Sequence, residues 1–167
     1  MAITHHLAAM LAGVAAIGLV VAASASNLDV VLYNGTPSMS VGLYLRSSGS
    51  LERGAIVTVR AVDVAPGYAA ERNFTDPSDR FLKRVVGASG DVVCGSGAQL
   101  TLNDAPVAER HERDSAGRAL PTWPCCVPLD QGHVFLLGET PDSFDGRYWG
   151  PTPIDRIEGV WRPIRLP

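Results

Sequence analysis

The chain has 167 residues, about one domain, and without its apolar N-terminal run roughly 140 remain, enough for one hydrophobic core. The net charge of −3 and the lack of a basic stripe interleaved with aromatic residues argue against a nucleic acid partner. Lys83 is the only lysine among 14 basic residues. Because desolvated lysine can lose its proton and arginine effectively cannot, Lys83 is a candidate base, unless its occurrence is an accident of composition.

The N-terminal segment 1–28 carries no Asp, Glu, Lys or Arg. Residues 7–25 are apolar or glycine except Ser24, and about 18 or more such residues can span a bilayer as a helix. Small residues at positions 23–25 also resemble a signal-peptide cleavage site. We therefore expect 1–28 to be a single-pass anchor in the cytoplasmic (inner) membrane or a removed signal segment. Residues 29–167 would form an exported domain on the periplasmic side.

The predicted exported domain consists mostly of short β-strands. Alternating or β-branched patterns predict strands at 29–33, 41–45, 55–64, 80–86, 91–94, 132–138 and 157–161, and a hairpin over 99–107 that turns at Asn103 and Asp104. Residues 68–79 are expected to form a loop or short helix, 108–130 an irregular excursion and 139–153 a loop. The pattern predicts a mostly β fold of antiparallel sheets.

A candidate nucleophile, Ser38, follows the first predicted strand in Thr36-Pro-Ser-Met39. Taken alone, this sequence is ordinary turn chemistry. A nucleophilic serine also needs a base within hydrogen-bond reach. His111 lies in a charged loop and His133 opens an apolar strand, which disfavours a Ser-His-Asp triad.

The remaining candidate base is Lys83. The period of two in its predicted strand places Phe81 and Val85 on the same face as the lysine. Apolar neighbours penalise the ammonium form and lower the pKa, which a neutral base requires. The alternative is a half-exposed strand whose lysine tip reaches water. A Ser-Lys dyad fits the sequence better than a triad.

The cysteines match no usual spacing of metal ligands, and no phosphate-binding glycine motif occurs. We therefore expect neither a metal nor a cofactor. In an exported domain the cysteines favour one disulfide, between Cys94 and either Cys125 or Cys126, which leaves one thiol unpaired.

Three motifs follow one another along the chain: Thr36-Pro-Ser-Met39, Lys83-Arg-Val-Val-Gly87 followed by Gly90-Asp91, and Gly138-Glu-Thr-Pro-Asp-Ser-Phe-Asp-Gly-Arg147. Taken in this order, they resemble the signal peptidase I superfamily of membrane-anchored Ser-Lys endopeptidases. Further details resemble its TraF-type branch, the peptidases of conjugative transfer systems: Gly42-Leu-Tyr44, Arg113-Asp-Ser-Ala-Gly-Arg118 and Val134-Phe-Leu-Leu-Gly138. The resemblance covers 29–163.

The resemblance implies a role for each motif residue. Ser38 would attack the scissile carbonyl, with Lys83 as the general base. The backbone N–H of Ser38 and the hydroxyl of Thr36 would form the oxyanion hole.

The last motif is expected to support the dyad. Ser143 would hold the lysine amine, and Asp145 with Arg147 would form an ion pair that buttresses the loop; the alternatives are a loop serine and a surface salt bridge. Ser40 and Glu139 depart from the family pattern, in which Pro and Asp are usual at these positions.

The implied fold is an antiparallel β domain whose groove binds substrate as an added strand, with small pockets for alanine-like residues. The implied partners are the membrane and a precursor protein, pilin-like or bearing a signal peptide. The branch implies cleavage of a pilin-like subunit, sometimes with cyclisation. The alternatives are a general signal peptidase I and a non-catalytic exported β module that docks in a secretion assembly.

Overall fold

The computed structural model describes residues 29–123 and 125–164. Segment 1–28, for which an anchor or signal segment is predicted, lies outside these residues. Among the residues described, no helix is long and apolar enough to cross a membrane.

The described residues form short strands joined by turns and brief helices. In chain order they are β1 (Val31–Asn34), β2 (Gly42–Ser47), β3 (Ile56–Arg60), α1 (Ala61–Val64), α2 (Pro66–Glu71), β4 (Arg80–Gly87), β5 (Val92–Ser96), β6 (Gln99–Leu102), β7 (Ala105–Glu109), β8 (Cys125–Pro128), β9 (His133–Leu137), α3 (Gly146–Trp149), β10 (Thr152–Pro153) and β11 (Ile157–Pro163), with a 3-10 turn at Ile154–Arg156.

The strands form two sheets. The larger has the order β1-β2-β11-β3-β4-β9-β10, and the smaller has the order β7-β6-β5-β8. Every pairing among these strands is antiparallel. The predicted mostly β, antiparallel fold is confirmed.

The two sheets pack through a cluster of buried side chains from β5, β6 and β9, together with Leu129. Gly87, at the end of β4, lies against this cluster. A Cβ added there would meet Leu129 Cδ1 at 2.9 Å and Leu102 Cδ1 at 3.1 Å, so the close approach requires glycine.

Two strands of the larger sheet, β1 and β4, have an edge that is not fully paired with another strand. β4 pairs with β3 along its first five residues, but its pairing with β9 begins only at Arg84. The segment 80–83 therefore has one edge without a strand partner among the described residues. β1 stands at the end of the sheet and offers another.

Three predicted segments were wrong in part. The predicted strand 55–64 ends at Arg60 and is followed by α1. Pro66 then begins α2, and proline suits the first turn of a helix. The excursion 108–130 contains β8, which pairs with β5. The loop 139–153 contains α3 and β10, which are too short for periodicity to reveal.

The predicted hairpin is confirmed. Asn103 and Asp104 have φ angles of 51° and 67° between β6 and β7, as a tight two-residue turn requires. The disulfide left open by the sequence joins Cys94 to Cys126, which face each other across β5 and β8.

Candidate active site

The turn after β1 holds Ser38, and the side chain of Asn34 organises it. Asn34 Nδ2 donates to the carbonyls of Thr36 and Met39, each at 2.9 Å, and its Oδ1 accepts from Thr36 Oγ1 at 3.1 Å. Met39 is fully buried and fixes the far side of the turn in the core. Asn34 is not among the predicted site residues, although asparagine side chains commonly hydrogen-bond nearby backbone groups in turns.

The strand β4 carries Lys83 to the same place. Lys83 Nζ lies 3.2 Å from Ser38 Oγ and 3.1 Å from Ser143 Oγ, and the lysine is 2% exposed. The alternative in which the lysine tip reaches water is therefore wrong. The fold brings three predicted site residues together from separate parts of the sequence.

The surroundings of Lys83 favour its neutral form. Burial lowers the pKa of Lys83 to about 8, with Asp145 opposing the shift and Arg147 adding to it. The Phe81 ring centre lies 5.7 Å from Nζ. A pKa near the working pH gives a base that is partly unprotonated and still able to take a proton from a hydroxyl.

The loop 138–147 is held by a buried ion pair. Arg147 Nη1 lies 3.4 Å from Asp145 Oδ2, and Asp145 is 0% exposed. The two N–H groups of the same nitrogen are shared among three backbone carbonyls within hydrogen-bond distance, those of Thr140, Pro141 and Ser143. Burial raises the pKa of the Asp145 carboxyl, against the opposing effects of Arg147 and backbone N–H donors. The alternative of a surface salt bridge is wrong, since both charges are buried.

The start of this loop packs directly on the turn that holds Ser38. A Cβ added to Gly138 would meet Ser143 Oγ at 1.9 Å and Ser38 O at 2.7 Å, so no side chain fits there. The N–H of Glu139 donates to Ser38 O at 2.7 Å. The position of Ser143 relative to Ser38 is thus fixed through the backbone.

Ser40 and Glu139, which depart from the family pattern, contact each other. Glu139 Oε2 accepts from the N–H of Ser40 at 2.9 Å and from its hydroxyl at 3.0 Å. Arg84, next to Lys83 on β4, pairs with Glu139 Oε1 and holds the pKa of Glu139 below its usual range. Proline at position 40 could not donate the first of these bonds. Sequence reasoning noted both residues and missed that they form one contact.

A groove of about 730 Å³ adjoins Ser38 and Lys83. Its lining includes six apolar or aromatic side chains from both walls: Leu32, Tyr33, Phe74, Phe81, Leu82 and Phe144. The free edges of β1 and of 80–83 both contribute to the lining. An extended peptide is the ligand that such edges and an apolar cleft suit.

Residues 3–164 match the family described as signal peptidase, peptidase S26. The chain belongs to this family. It is 34% identical over 153 residues to a plasmid transfer protein TraF of Escherichia coli, covering 85% of this chain and 86% of that protein. A second protein of that name and organism is 32% identical over 166 residues, covering 93% and 92%. A solved signal peptidase I from Enterococcus faecalis is 21% identical, with a TM-score of 0.40, and covers 68% of this chain and 98% of that one.

Membership in the S26 family makes the chain a serine peptidase. The ring nitrogens of the two histidines in the described domain contact aspartates. His133 Nδ1 contacts Asp130 Oδ1 at 2.7 Å, and His111 Nε2 lies 3.6 Å from Asp142 Oδ1. Within 29–123 and 125–164, no group of three or more His, Cys, Asp or Glu side chains could hold a metal ion.

Proposed function

We propose that this S26 peptidase is a membrane-anchored endopeptidase in which Ser38 and Lys83 form the catalytic dyad. The observation that carries the proposal is the buried Lys83 Nζ within hydrogen-bond reach of Ser38 Oγ and Ser143 Oγ. The proposed substrate is an exported precursor, a pilin-like subunit of a conjugative transfer system. The two plasmid transfer proteins, which match this chain over most of their length, support a role in conjugative transfer. The pilin-like substrate is what the resemblance of the motifs implies.

In the proposed mechanism, neutral Lys83 takes the proton of the Ser38 hydroxyl as Oγ attacks the scissile carbonyl. Ser143 holds the amine from its other side. The C–N bond then breaks, the leaving amine takes the proton from Lys83, and an acyl-enzyme remains. Water releases the acid, whereas attack by the amino terminus of the same chain would give a ring.

The proposed oxyanion hole combines the backbone N–H of Ser38 with the hydroxyl of Thr36. Thr36 Oγ1 lies 3.2 Å from Ser38 Oγ and donates to Asn34 Oδ1 in this structure. Rotation about its Cβ–Oγ1 bond would redirect the proton to the developing oxyanion. One such donor contributes about 10²–10³ in rate.

The proposed cellular arrangement keeps the catalytic domain outside the cytoplasm. Segment 1–28 would anchor the chain in the inner membrane, and 29–167 would act on the periplasmic side. The Cys94–Cys126 disulfide supports this placement, because disulfides persist in oxidising compartments.

The proposal predicts that the full-length protein in detergent cuts a pilin precursor and that the Ser38→Ala variant does not. Cleavage would be followed by mass spectrometry, which also separates linear from cyclic products. A preprotein with an ordinary signal peptide is the comparison substrate. Cleavage by Ser38→Ala at the wild-type rate would refute the dyad, and equal processing of both precursors would favour a general signal peptidase. No cleavage of either by the wild type would favour the non-catalytic module.

A further inference from the structure

A second cavity, of about 480 Å³, adjoins the loop that carries Ser143 and is rich in arginine. Arg72 enters it from the end of α2, while Arg113 and Arg118 enter it from the loop 113–118. Asp142 and Phe144 line both this cavity and the groove beside the dyad. The arginine cavity is therefore adjacent to the groove, with these two side chains at the boundary.

The arginine cavity has a rigid frame centred on Asp114. Asp114 Oδ1 accepts from the N–H groups of Ala116 at 3.0 Å and Arg118 at 2.9 Å. Its Oδ2 accepts from Arg72 Nη2 at 2.6 Å and from Arg118 Nε at 2.8 Å. Four donors fill the acceptor sites of this carboxylate, so it is fully used in holding the loop.

The cavity keeps cationic donors beyond those that Asp114 uses. Arg113 Nη1 donates to the carbonyl of Gly117 at 2.8 Å, and no carboxylate of the described residues pairs with Arg113. The ionised lining comprises three arginines against Asp114 and Asp142, a net charge of +1 with His111 neutral. The Asp142 side chain is 93% exposed. Outside the lining, Glu71 pairs with Arg72 Nη1 at 3.2 Å. Among the described residues, Arg113 is therefore the cation of the cavity that remains to attract an anion.

We propose that the arginine cavity is a subsite that binds a carboxylate of the peptide substrate, some residues away from the scissile bond. A guanidinium presents paired N–H donors that match a carboxylate in two parallel bonds. The shared boundary at Asp142 and Phe144 favours a peptide, because a chain lying in the groove can continue into the cavity. The inference rests on the proposed function and adds a substrate feature, an acidic side chain or a free C-terminus.

The test measures binding of fluorescent alanine-rich peptides to the full-length Ser38→Ala protein in detergent, by anisotropy. Each peptide carries Asp or Asn at one position, scanned along both sides of a central Ala-Ala bond, and is made with a free or amidated C-terminus. At the position that reaches the cavity, Asp should bind about tenfold more tightly than Asn. If the C-terminus is the ligand, the free acid should show the same advantage over the amide.

Substitutions of arginine test whether the preference for Asp over Asn arises from the arginine cavity. Adding Arg113→Gln should bring the Asp-to-Asn ratio of affinities close to one, and Arg113→Lys should restore part of it. Arg156→Gln is the matched control, because this exposed arginine on the 3-10 turn has its nearest carboxylates at 3.8 Å and should keep the full ratio.

The outcomes separate this inference from the proposed function. If Asp and Asn peptides bind with equal affinity at every position, and the free acid and the amide also bind equally, the subsite is overturned. Binding of the Asn peptides would still show whether the groove takes a peptide. If no peptide binds, the groove and the subsite both fail as peptide sites. If Arg113→Gln instead weakens binding to vesicles containing phosphatidylglycerol and leaves the peptide ratio intact, the cavity serves the membrane and the inference is wrong.

Discussion

Replacing Lys83 with methionine should lower kcat/KM for precursor cleavage by about 10³-fold, within the range expected for loss of a general base. Methionine has a similar volume and keeps the apolar contacts of β4, but it cannot take the proton of Ser38. Arg84, next in the strand, keeps its contact with Glu139 in this variant. The measurement is steady-state cleavage of the pilin precursor by the full-length protein.

The same substitution should raise the free energy of unfolding. Because the pKa of Lys83 falls from 10.5 to about 8 on folding, the unfolded chain binds more protons between these values, and stability rises with pH across that window. Below pH 8, burial of the ammonium lowers the free energy of unfolding by on the order of 3 kcal/mol, and the substitution by methionine removes this penalty.

Urea unfolding at pH 7 followed by tryptophan fluorescence measures this gain. Lys83→Arg is the matched control, since it keeps a cation, removes the base and should lose both activity and stability. A Lys83→Met variant that cuts the precursor at the wild-type rate, or that unfolds at lower urea than the wild type, would contradict these two expectations.

Replacing Arg147 with alanine should destabilise the domain by about 3–5 kcal/mol, as for other broken buried ion pairs. The change leaves the buried Asp145 carboxylate without its cation. It also removes the donor to three loop carbonyls and leaves a void. Because this loop holds Ser143 against Lys83, activity should fall as well.

Thermal and urea unfolding of the full-length protein measure this effect. Arg156→Ala is the control and should change stability by less than about 1 kcal/mol, because the Arg156 side chain is 48% exposed and its carboxylate partners lie 3.8 Å away. Adding Asp145→Asn to Arg147→Ala should recover part of the loss, since the neutral amide needs no cation. An Arg147→Ala protein as stable as the Arg156→Ala control would show that the pair does not support the loop.

The strands that position the site could be predicted from sequence because each has a local pattern. β4 alternates around Lys83, and β9 is an apolar run, so both appear close to their predicted bounds. The change from strand to helix after Arg60 was missed, because β-branched residues continue through the turn. Tertiary packing decides the conformation there, and local propensity does not reveal it.

The residue types indicated the candidate nucleophile and base, but they did not indicate which residues hold these two side chains in place. A single lysine with apolar neighbours marks a desolvated amine. The roles of Asn34 and Glu139 depend on which loops meet across the fold, and nothing near either residue in sequence indicates the partner. The burial of the Asp145 and Arg147 pair likewise arises from distant packing.

The pH dependence of kcat/KM tests most directly whether neutral Lys83 is the base for Ser38. Precursor cleavage would be measured from about pH 6 to about pH 10, with His111→Gln and His133→Gln proteins as controls for a histidine base. If neutral Lys83 is the base, kcat/KM should rise through a midpoint near 8, the pKa to which burial lowers Lys83, in all three proteins. A flat profile, or a midpoint near 6.5 that disappears in one histidine variant, would show that Lys83 is not the base.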